Sequence, residues 1–209
     1  MPGLHAMLAL VVAVSLLASG IAPADRLTWW MEVAPVLIAA PVLAATYRRF
    51  PLTDLLYALI ALQALVLILG GLYTYSHVPL GDWIQDALGL RRNPYDKIGH
   101  FMQGIVPALL AREILLRGGH VAGRRMLGFL SVCVALAVSA GYEMIEWWAG
   151  LFMGQDADEF LGLQGDSWDT QSDMFFALVG ALVAVLGLAR LHDRQLRELS
   201  LRRAEDPAP

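Results

Sequence analysis

The fold is decided by a stretch in which two apolar runs meet across a loop, Ser139-Ala-Gly-Tyr-Glu143-Met-Ile-Glu146-Trp-Trp and then Gln164-Gly-Asp166-Ser-Trp-Asp169-Thr-Gln-Ser-Asp173. Residues 139–180 contain eight acidic side chains, and no Lys, Arg or His occurs between Arg125 and Arg190. Carboxylates without basic neighbours must be solvated, protonated, paired with groups from elsewhere in the chain, or bound to cations. Which of these applies is the functional question.

The composition around this stretch is that of a membrane protein. The 209 residues are 57% hydrophobic and 16% charged, with a mean hydropathy of +0.56, which is too apolar for an ordinary soluble domain. The single cysteine, Cys133, excludes a disulfide within one chain. The net charge of -4 and the absence of a basic stripe with interleaved aromatics exclude nucleic acid as a partner.

Apolar runs of nearly bilayer-spanning length predict an all-α fold, a polytopic membrane helix bundle of about six transmembrane helices. The runs cover residues 4–22, 29–47, 55–73, 96–116, 126–148 and 169–191. A short amphipathic helix is expected on the membrane surface before the fourth span, with apolar positions between residues 80 and 88. Residues 1–195 are predicted to form a single integral membrane domain, and residues 196–209 a charged, disordered cytoplasmic tail.

The basic residues predict the orientation. Eleven of the fifteen fall on one side of these spans, so the positive-inside rule places both termini in the cytoplasm and the acidic stretch outside. Ala22-Pro23-Ala24 has the form of a signal-peptidase site, but the segment before it has no Lys or Arg, and a retained first helix is favoured.

This topology brings polar residues of three helices to one membrane face. His100 lies about one turn into the fourth span, Glu143 and Glu146 lie near the end of the fifth, and Asp169 and Asp173 begin the sixth. The spacings i, i+3 and i, i+4 put the members of each pair on one helix face. Convergence of these faces would form a polar pocket at the outer surface.

The strongest candidates for a catalytic role are His100, Glu143 and Asp173. An ionisable group inside a span costs roughly 2.5–3.5 kcal/mol on insertion scales, so Glu143 is expected to face a cavity or a partner. Asp169 has an alternative role of equal weight as an N-cap of the sixth helix. The nearby acids Asp156, Asp158 and Glu159 are expected in a solvated loop, outside any site.

Two kinds of chemistry suit one imidazole among several carboxylates. One is an acid and base pair, and the other is a divalent cation such as Mg²⁺, Mn²⁺, Ca²⁺ or Zn²⁺. The candidate metal ligands are His100, Glu143, Glu146, Asp169 and Asp173. The candidate substrate-binding residues are Asp96, Lys97, Gln103, Glu146, Gln164, Asp166, Trp168 and Asp169.

Lys97 has two alternative roles in this scheme. With Arg91 and Arg92 it could hold a phosphate head group. A salt bridge to Asp96 or to the acidic stretch is the favoured alternative.

Three motifs carry a family resemblance: Asp96-Lys-Ile-Gly-His100-Phe, Tyr142-Glu-Met-Ile-Glu146-Trp and Gln164-Gly-Asp-Ser-Trp-Asp-Thr-Gln-Ser-Asp173-Met. With them the chain resembles the YjdF-like family of bacterial inner-membrane proteins over most of its length. A more distant likeness is to the VanZ-like family, which is associated with glycopeptide resistance. Here Glu146 replaces the Gln and Ala177 the Asn of the VanZ-like pattern, and Gly180 matches it. The resemblance implies an inner-membrane location and supplies no reaction.

Three functions remain open at this point. The first is an outward-facing site that binds or modifies a lipid or lipid-linked envelope head group, with membrane lipids and such a precursor as partners. The second is a proton-coupled transporter or flippase, against which no charged residue is evident near mid-membrane. The third is a non-catalytic membrane scaffold, in which the cluster serves only for hydrogen bonding between helices.

Overall fold

The computed structural model describes residues 2–153 and 164–205, and every element within these ranges is helical. The predicted all-α bundle is therefore confirmed. Asp156, Asp158 and Glu159, which were expected in a solvated loop, lie outside the described residues.

A helix stands at the place of every predicted span. The helices are α1 (Pro2–Ser19), α2 (Arg26–Thr46), α3 (Asp54–Tyr73), α4 (Pro79–Leu88), α5 (Tyr95–Arg117), α6 (Arg124–Met153), α7 (Asp169–Leu182) and α8 (Ala189–Glu205). A 3₁₀ turn, Tyr75–His77, precedes α4, and a π-helical segment, Val183–Leu188, joins α7 to α8. The expected short helix before the fourth span is thus α4.

Four described helices are long and apolar enough to cross a membrane, namely Arg26–Thr46, Asp54–Tyr73, Arg124–Phe152 and Asp169–Leu201. Helix α1 is apolar but shorter. Helix α5 has 23 residues, but ionised side chains lie near both of its ends, Asp96 and Lys97 at one and Arg112, Glu113 and Arg117 at the other. The count of six spans is therefore approximate.

Helix α5 is the centre of the bundle, since it packs against α3, α6 and α7. Its contact with α7 is close because glycines face backbone on both sides. A Cβ on Gly104 would lie 1.9 Å from the carbonyl oxygen of Ala177, and one on Gly180 would lie 2.0 Å from that of Phe101. Small residues at such crossings let membrane helices approach to backbone contact. The approach brings α5 and α7 side chains within hydrogen-bonding distance.

Apolar side chains fill the bundle and also cover its outside. Leu56, Ala108 and Leu109 are fully buried in the core around α5. In contrast, Phe152 is 90% exposed and Leu186 is 77% exposed. Exposed apolar side chains of this kind are expected where helices face lipid.

The final helix continues beyond the apolar part of the sixth span. The described residues 196–205 of the predicted disordered tail are helical, and Arg194 Nε donates to Glu198 Oε1 at 3.0 Å one turn along. Such i, i+4 pairs stabilise an exposed helix modestly.

Candidate functional site

The first turns of α5 carry the polar residues of the site. Asn93 Oδ1 accepts a hydrogen bond of 3.0 Å from the Tyr95 backbone N–H just at the helix start. Asp96, Lys97 and His100 follow within two turns, and all three are buried. The helix therefore starts with ionised side chains that point into the bundle, where they require partners.

Lys97 is held entirely by carboxylates. Its Nζ lies 3.2 Å from Asp96 Oδ2, 2.6 Å from Asp169 Oδ1 and 2.5 Å from Asp173 Oδ1. Asp169 also accepts a hydrogen bond from Arg92. The geometry thus matches the salt-bridge alternative for Lys97, and an ammonium group with three carboxylate neighbours is poorly placed to attract a phosphate as well.

His100 lies among four polar side chains from three helices. Its Nδ1 is 2.9 Å from Gln103 Oε1 and 3.7 Å from Glu143 Oε1, and its Nε2 is 3.3 Å from Asp96 Oδ1 and 3.7 Å from Asp173 Oδ1. Both ring nitrogens face acceptor oxygens, an arrangement that a doubly protonated imidazolium satisfies. The structure therefore brings together the three predicted catalytic residues.

Glu143 is the least satisfied member of this group. It is 8% exposed, and its Oε1 is a buried acceptor that receives no hydrogen bond from any residue the structure describes. An unpaired buried oxygen costs free energy, so this position favours a further donor or a ligand. It points toward the Nδ1 side of His100.

Two of the five predicted metal ligands, His100 and Asp173, lie close enough together to hold one ion. Within the described ranges, the third donor of that group is Asp96, which was predicted only as a substrate-binding residue, and the three ligand atoms lie within 4.8 Å of one another. Asp169 instead pairs with Lys97 and Arg92. Lys97 Nζ already contacts Asp173 Oδ1, so a metal ion would have to compete with it for that oxygen.

A cavity of about 130 Å³ adjoins His100, and Asp173 is not among its lining residues. Its polar lining residues are Glu32, Gln63, Tyr75, Asp96, His100, Gln103, Tyr142 and Glu146. Glu146 therefore faces this cavity, not the group around Asp173. The rings of His100 and Tyr142 meet edge to face, with their centroids 6.4 Å apart.

Sequence reasoning missed Glu32. This residue lies in α2, is 3% exposed, and accepts a long hydrogen bond of 3.4 Å from the Tyr142 hydroxyl. The signal was present, because an acid within a predicted span normally faces a cavity or a partner. Burial, together with the neighbouring Glu32 carboxylate, raises the pKa of the nearby Tyr75 hydroxyl well above its usual value.

The predicted substrate-binding residues between Gln164 and Trp168 have mainly structural contacts. Gln164 exchanges two hydrogen bonds with the Asn93 backbone, at 3.0 and 3.1 Å, and so ties this segment to the start of α5. Asp166 accepts from the Trp168 backbone N–H at 2.9 Å and lies 3.6 Å from Arg92. The Trp168 side chain is 69% exposed and does not line the cavity.

A second buried polar cluster, also missed, lies at the opposite end of α5. Glu113 and His192 are both fully buried, and His192 Nε2 lies 3.0 Å from Glu113 Oε2. Arg112 Nη1 contacts His192 Nδ1 at 2.9 Å, and since arginine only donates, His192 is the neutral tautomer that donates through Nε2. Thr53 donates to the same Glu113 oxygen from its backbone N–H and its hydroxyl. We name this the His192 cluster.

Comparison with known proteins assigns the chain to a family of membrane proteins. The family described as "Predicted membrane protein (DUF2238)" matches residues 4–194. The chain belongs to this family. A relative in Escherichia coli (strain K12), "Inner membrane protein YjdF", is 62% identical over 193 residues, which is 92% of each chain. No solved structure matches.

The match settles the resemblance read from the motifs. The expected membership of the YjdF-like group is confirmed, because the match spans the helices that carry all three motifs. The more distant likeness to the VanZ-like family stays a prediction.

Proposed function

We propose that this chain is an inner-membrane protein whose His100 site binds and chemically modifies the head group of a lipid or a lipid-linked envelope precursor. The observation that carries the proposal is a buried histidine, hydrogen-bonded to Gln103 and facing Asp96, in the wall of a cavity within a membrane helix bundle. Perturbed ionisable groups beside a cavity are typical of functional sites.

The proposed inner-membrane location is supported by the Escherichia coli relative, and the proposed orientation in the membrane is supported by the distribution of basic residues. The Escherichia coli relative is named an inner membrane protein, and its 62% identity supports the same location for this chain. The excess of basic residues after α2, after α5 and in α8 supports cytoplasmic termini. The His100 end of α5 then lies at the outer membrane surface, where envelope head groups are found.

The chemistry follows from three neighbours of His100, of which two orient the ring and the third accepts no hydrogen bond from the described residues. Asp96 and Gln103 hold the imidazole in one orientation, so that it can deliver a proton to a departing oxygen or nitrogen. Glu143 Oε1, which accepts no hydrogen bond from the described residues, is placed to take a proton as the base. Together they provide an acid and a base 3.7 Å apart.

The test compares envelope composition in a bacterial host that lacks its own relative of this protein. Cells carry no copy, the wild type, His100→Gln or His120→Gln, the last being a matched control because His120 is exposed in the loop after α5. Lipids and lipid-linked precursors are extracted and compared by mass spectrometry at equal protein levels.

We expect the wild type and His120→Gln to change the amount of at least one head-group species, and His100→Gln to leave it at the level of cells without a copy. Identical composition with and without the wild type would overturn the proposal. So would a full effect of His100→Gln.

A proton-coupled transporter is the second candidate, because of Glu32. This buried acid lies in α2 about two turns from its start, and with Gln63 at the middle of α3 it extends the polar cavity toward the centre of the bundle. Intramembrane carboxylates are typical of proton relays. Reconstituted protein should then acidify liposomes in response to a pH gradient with an envelope substrate present, and Glu32→Gln should abolish this flux.

A further inference from the structure

The cavity beside His100 has three carboxylates in its lining, on three different helices. Glu32 comes from α2, Asp96 from α5 and Glu146 from α6. Two amides, Gln63 and Gln103, the imidazole of His100 and two tyrosines, Tyr75 and Tyr142, form the rest of its polar surface. A cavity of this composition selects its ligand by charge.

We propose that this cavity binds an alkylammonium group, so that the head group bound at the site carries a primary amine. The inference rests on the proposed function in that it names the substrate class of the same site.

The charge balance of the cavity favours a cation. Within the described residues, His100 is the basic side chain that lines it. Lys97 is not among the lining residues, and its Nζ contacts Asp96, Asp169 and Asp173. Two acids, Glu32 and Glu146, thus remain in a low-dielectric space without an ion pair among the described residues, and a cation bound beside them would stabilise their charged form.

Glu146 is the clearest case of a cavity carboxylate that lacks partners. It is only partly exposed, and no hydrogen bond or ion pair from the described residues satisfies its carboxylate. The Glu32 carboxylate is more deeply buried, and its bond from the Tyr142 hydroxyl is long, at 3.4 Å. A primary ammonium has three donors, enough to serve both acids.

The spacing of the acids favours an organic cation over a bare metal ion. Among the described residues, the cluster with ligand atoms within 4.8 Å of one another is Asp96, His100 and Asp173, and it includes neither Glu32 nor Glu146. The metal-ion alternative therefore belongs to that cluster, and Glu32 and Glu146 stay outside it.

The rest of the lining suits the carbon atoms of such a ligand. The aromatic rings of Tyr75 and Tyr142 and the apolar side chains of Pro35, Leu67 and Val138 border the same space. Ammonium groups bind favourably over aromatic faces when water is excluded. The cavity of about 130 Å³ corresponds to roughly four water molecules at about 30 Å³ each, enough for an ammonium and a short carbon chain such as ethanolamine.

The position of Glu146 favours delivery from the membrane surface. It is followed directly by Trp147 and Trp148, whose side chains are exposed at the end of α6. Tryptophans of this kind mark the interface where lipid head groups lie. An amine on a phospholipid head group can therefore reach Glu146 while its acyl chains stay in the bilayer.

The experiment measures lipid binding to the purified full-length protein in detergent by native mass spectrometry. The probes share their acyl chains and differ in the head group: phosphatidylethanolamine, N-acetylated phosphatidylethanolamine and phosphatidylglycerol. Free ethanolamine is added in a separate competition arm. The variants are Glu32→Gln and Glu146→Gln, with Asp86→Asn as the control, since Asp86 is an exposed acid on α4 near the same end of the bundle.

We expect the wild type and Asp86→Asn to bind phosphatidylethanolamine at least about tenfold more tightly than the acetylated lipid or phosphatidylglycerol. Each cavity variant should lose this preference. Competition by free ethanolamine would show that the amine alone suffices, and its absence that the lipid is required, and either result supports an alkylammonium site. Equal binding of the three lipids by the wild type would overturn the inference, and this comparison depends on no variant folding.

The two proposals fail separately. Equal binding of the three lipids, combined with a head-group change that requires His100, would refute the alkylammonium site but support the proposed modification. Amine-selective binding, combined with unchanged envelope composition, would support the alkylammonium site but refute the proposed modification.

Discussion

Lys97 Nζ lies 2.6 Å from Asp169 Oδ1, a contact that joins the start of α5 to the start of α7 across 72 residues. Lys97 is the only lysine in the chain, and both side chains are buried. The acidic stretch therefore finds its missing basic partner on the neighbouring helix. The contact also fixes which faces of α5 and α7 meet, and so places His100 beside Asp173.

Removing this lysine should destabilise the bundle. We expect Lys97→Gln to lower the free energy of unfolding by about 3–5 kcal/mol, because it leaves buried carboxylates without their cation. Thermal unfolding of the detergent-solubilised protein, followed by tryptophan fluorescence, measures the change. Arg91→Gln is the matched control, since Arg91 is exposed in the loop before α5. An unchanged midpoint for Lys97→Gln would contradict the assigned role.

Metal binding at Asp96, His100 and Asp173 should be in competition with Lys97. Its Nζ lies 2.5 Å from Asp173 Oδ1, so Lys97→Met removes a positive charge from the position next to the metal ligands. We expect this variant to bind Mn²⁺ or Zn²⁺ about tenfold more tightly than the wild type in calorimetric titrations. Lys97→Arg keeps the charge and should show no gain. Equal affinities for the wild type and Lys97→Met would argue against this ligand set.

Close packing of α5 on α7 predicts a contrast between two glycines. Gly104→Ala should cost about 1–3 kcal/mol, because its Cβ would meet the Ala177 backbone, which cannot move aside cheaply. Gly141→Ala on α6 should have little effect, since nothing lies within 4 Å of its Cβ position. The measurement is again the unfolding midpoint. Similar losses for both variants would contradict the packing at Gly104.

The His192 cluster should contribute to stability independently of the Lys97 site. Glu113→Gln is expected to cost about 3–5 kcal/mol, because His192, Thr53 and Arg117 all bond to this carboxylate. Lys97 and Glu113 are 16 residues apart on α5, about 24 Å along the helix. The double variant should therefore lose the sum of the two single losses within about 0.5 kcal/mol. A large departure from additivity would show that the two ends of α5 are coupled.

Much of the site could be predicted because polar residues recur at helical spacing and because the order of the spans places the ends of successive helices at the same level of the bundle. Helical spacing placed His100 with Gln103 and positioned Glu143 and Asp173 at the same level of the bundle, and the structure brings these four together. Asp96 stands at i, i+4 to His100, so spacing also places these two on one face of α5. Which residues of α6 and α7 meet that face depends on the rotation of the helices, and spacing does not provide it.

Glu32 and His192 show what was missed and why. Both belong to helices for which hydropathy predicts a span but not which face points inward. His192 follows the π-helical segment Val183–Leu188, where the helix changes its rotation, so an α-helical pattern projected from Asp173 does not give its direction.

The sequence by itself determined the membrane class, the helical fold and the end of the bundle at which His100, Glu143 and Asp173 lie. Those properties depend on hydropathy, helix length and the order of segments along the chain, all of which can be obtained directly from the sequence. Only the tertiary structure decided that Lys97 neutralises Asp169 and Asp173, that Glu146 faces a cavity with Glu32, and that Glu113 pairs with His192. These partners are set by helix rotation and close packing, and both arise from contacts between residues far apart in the chain.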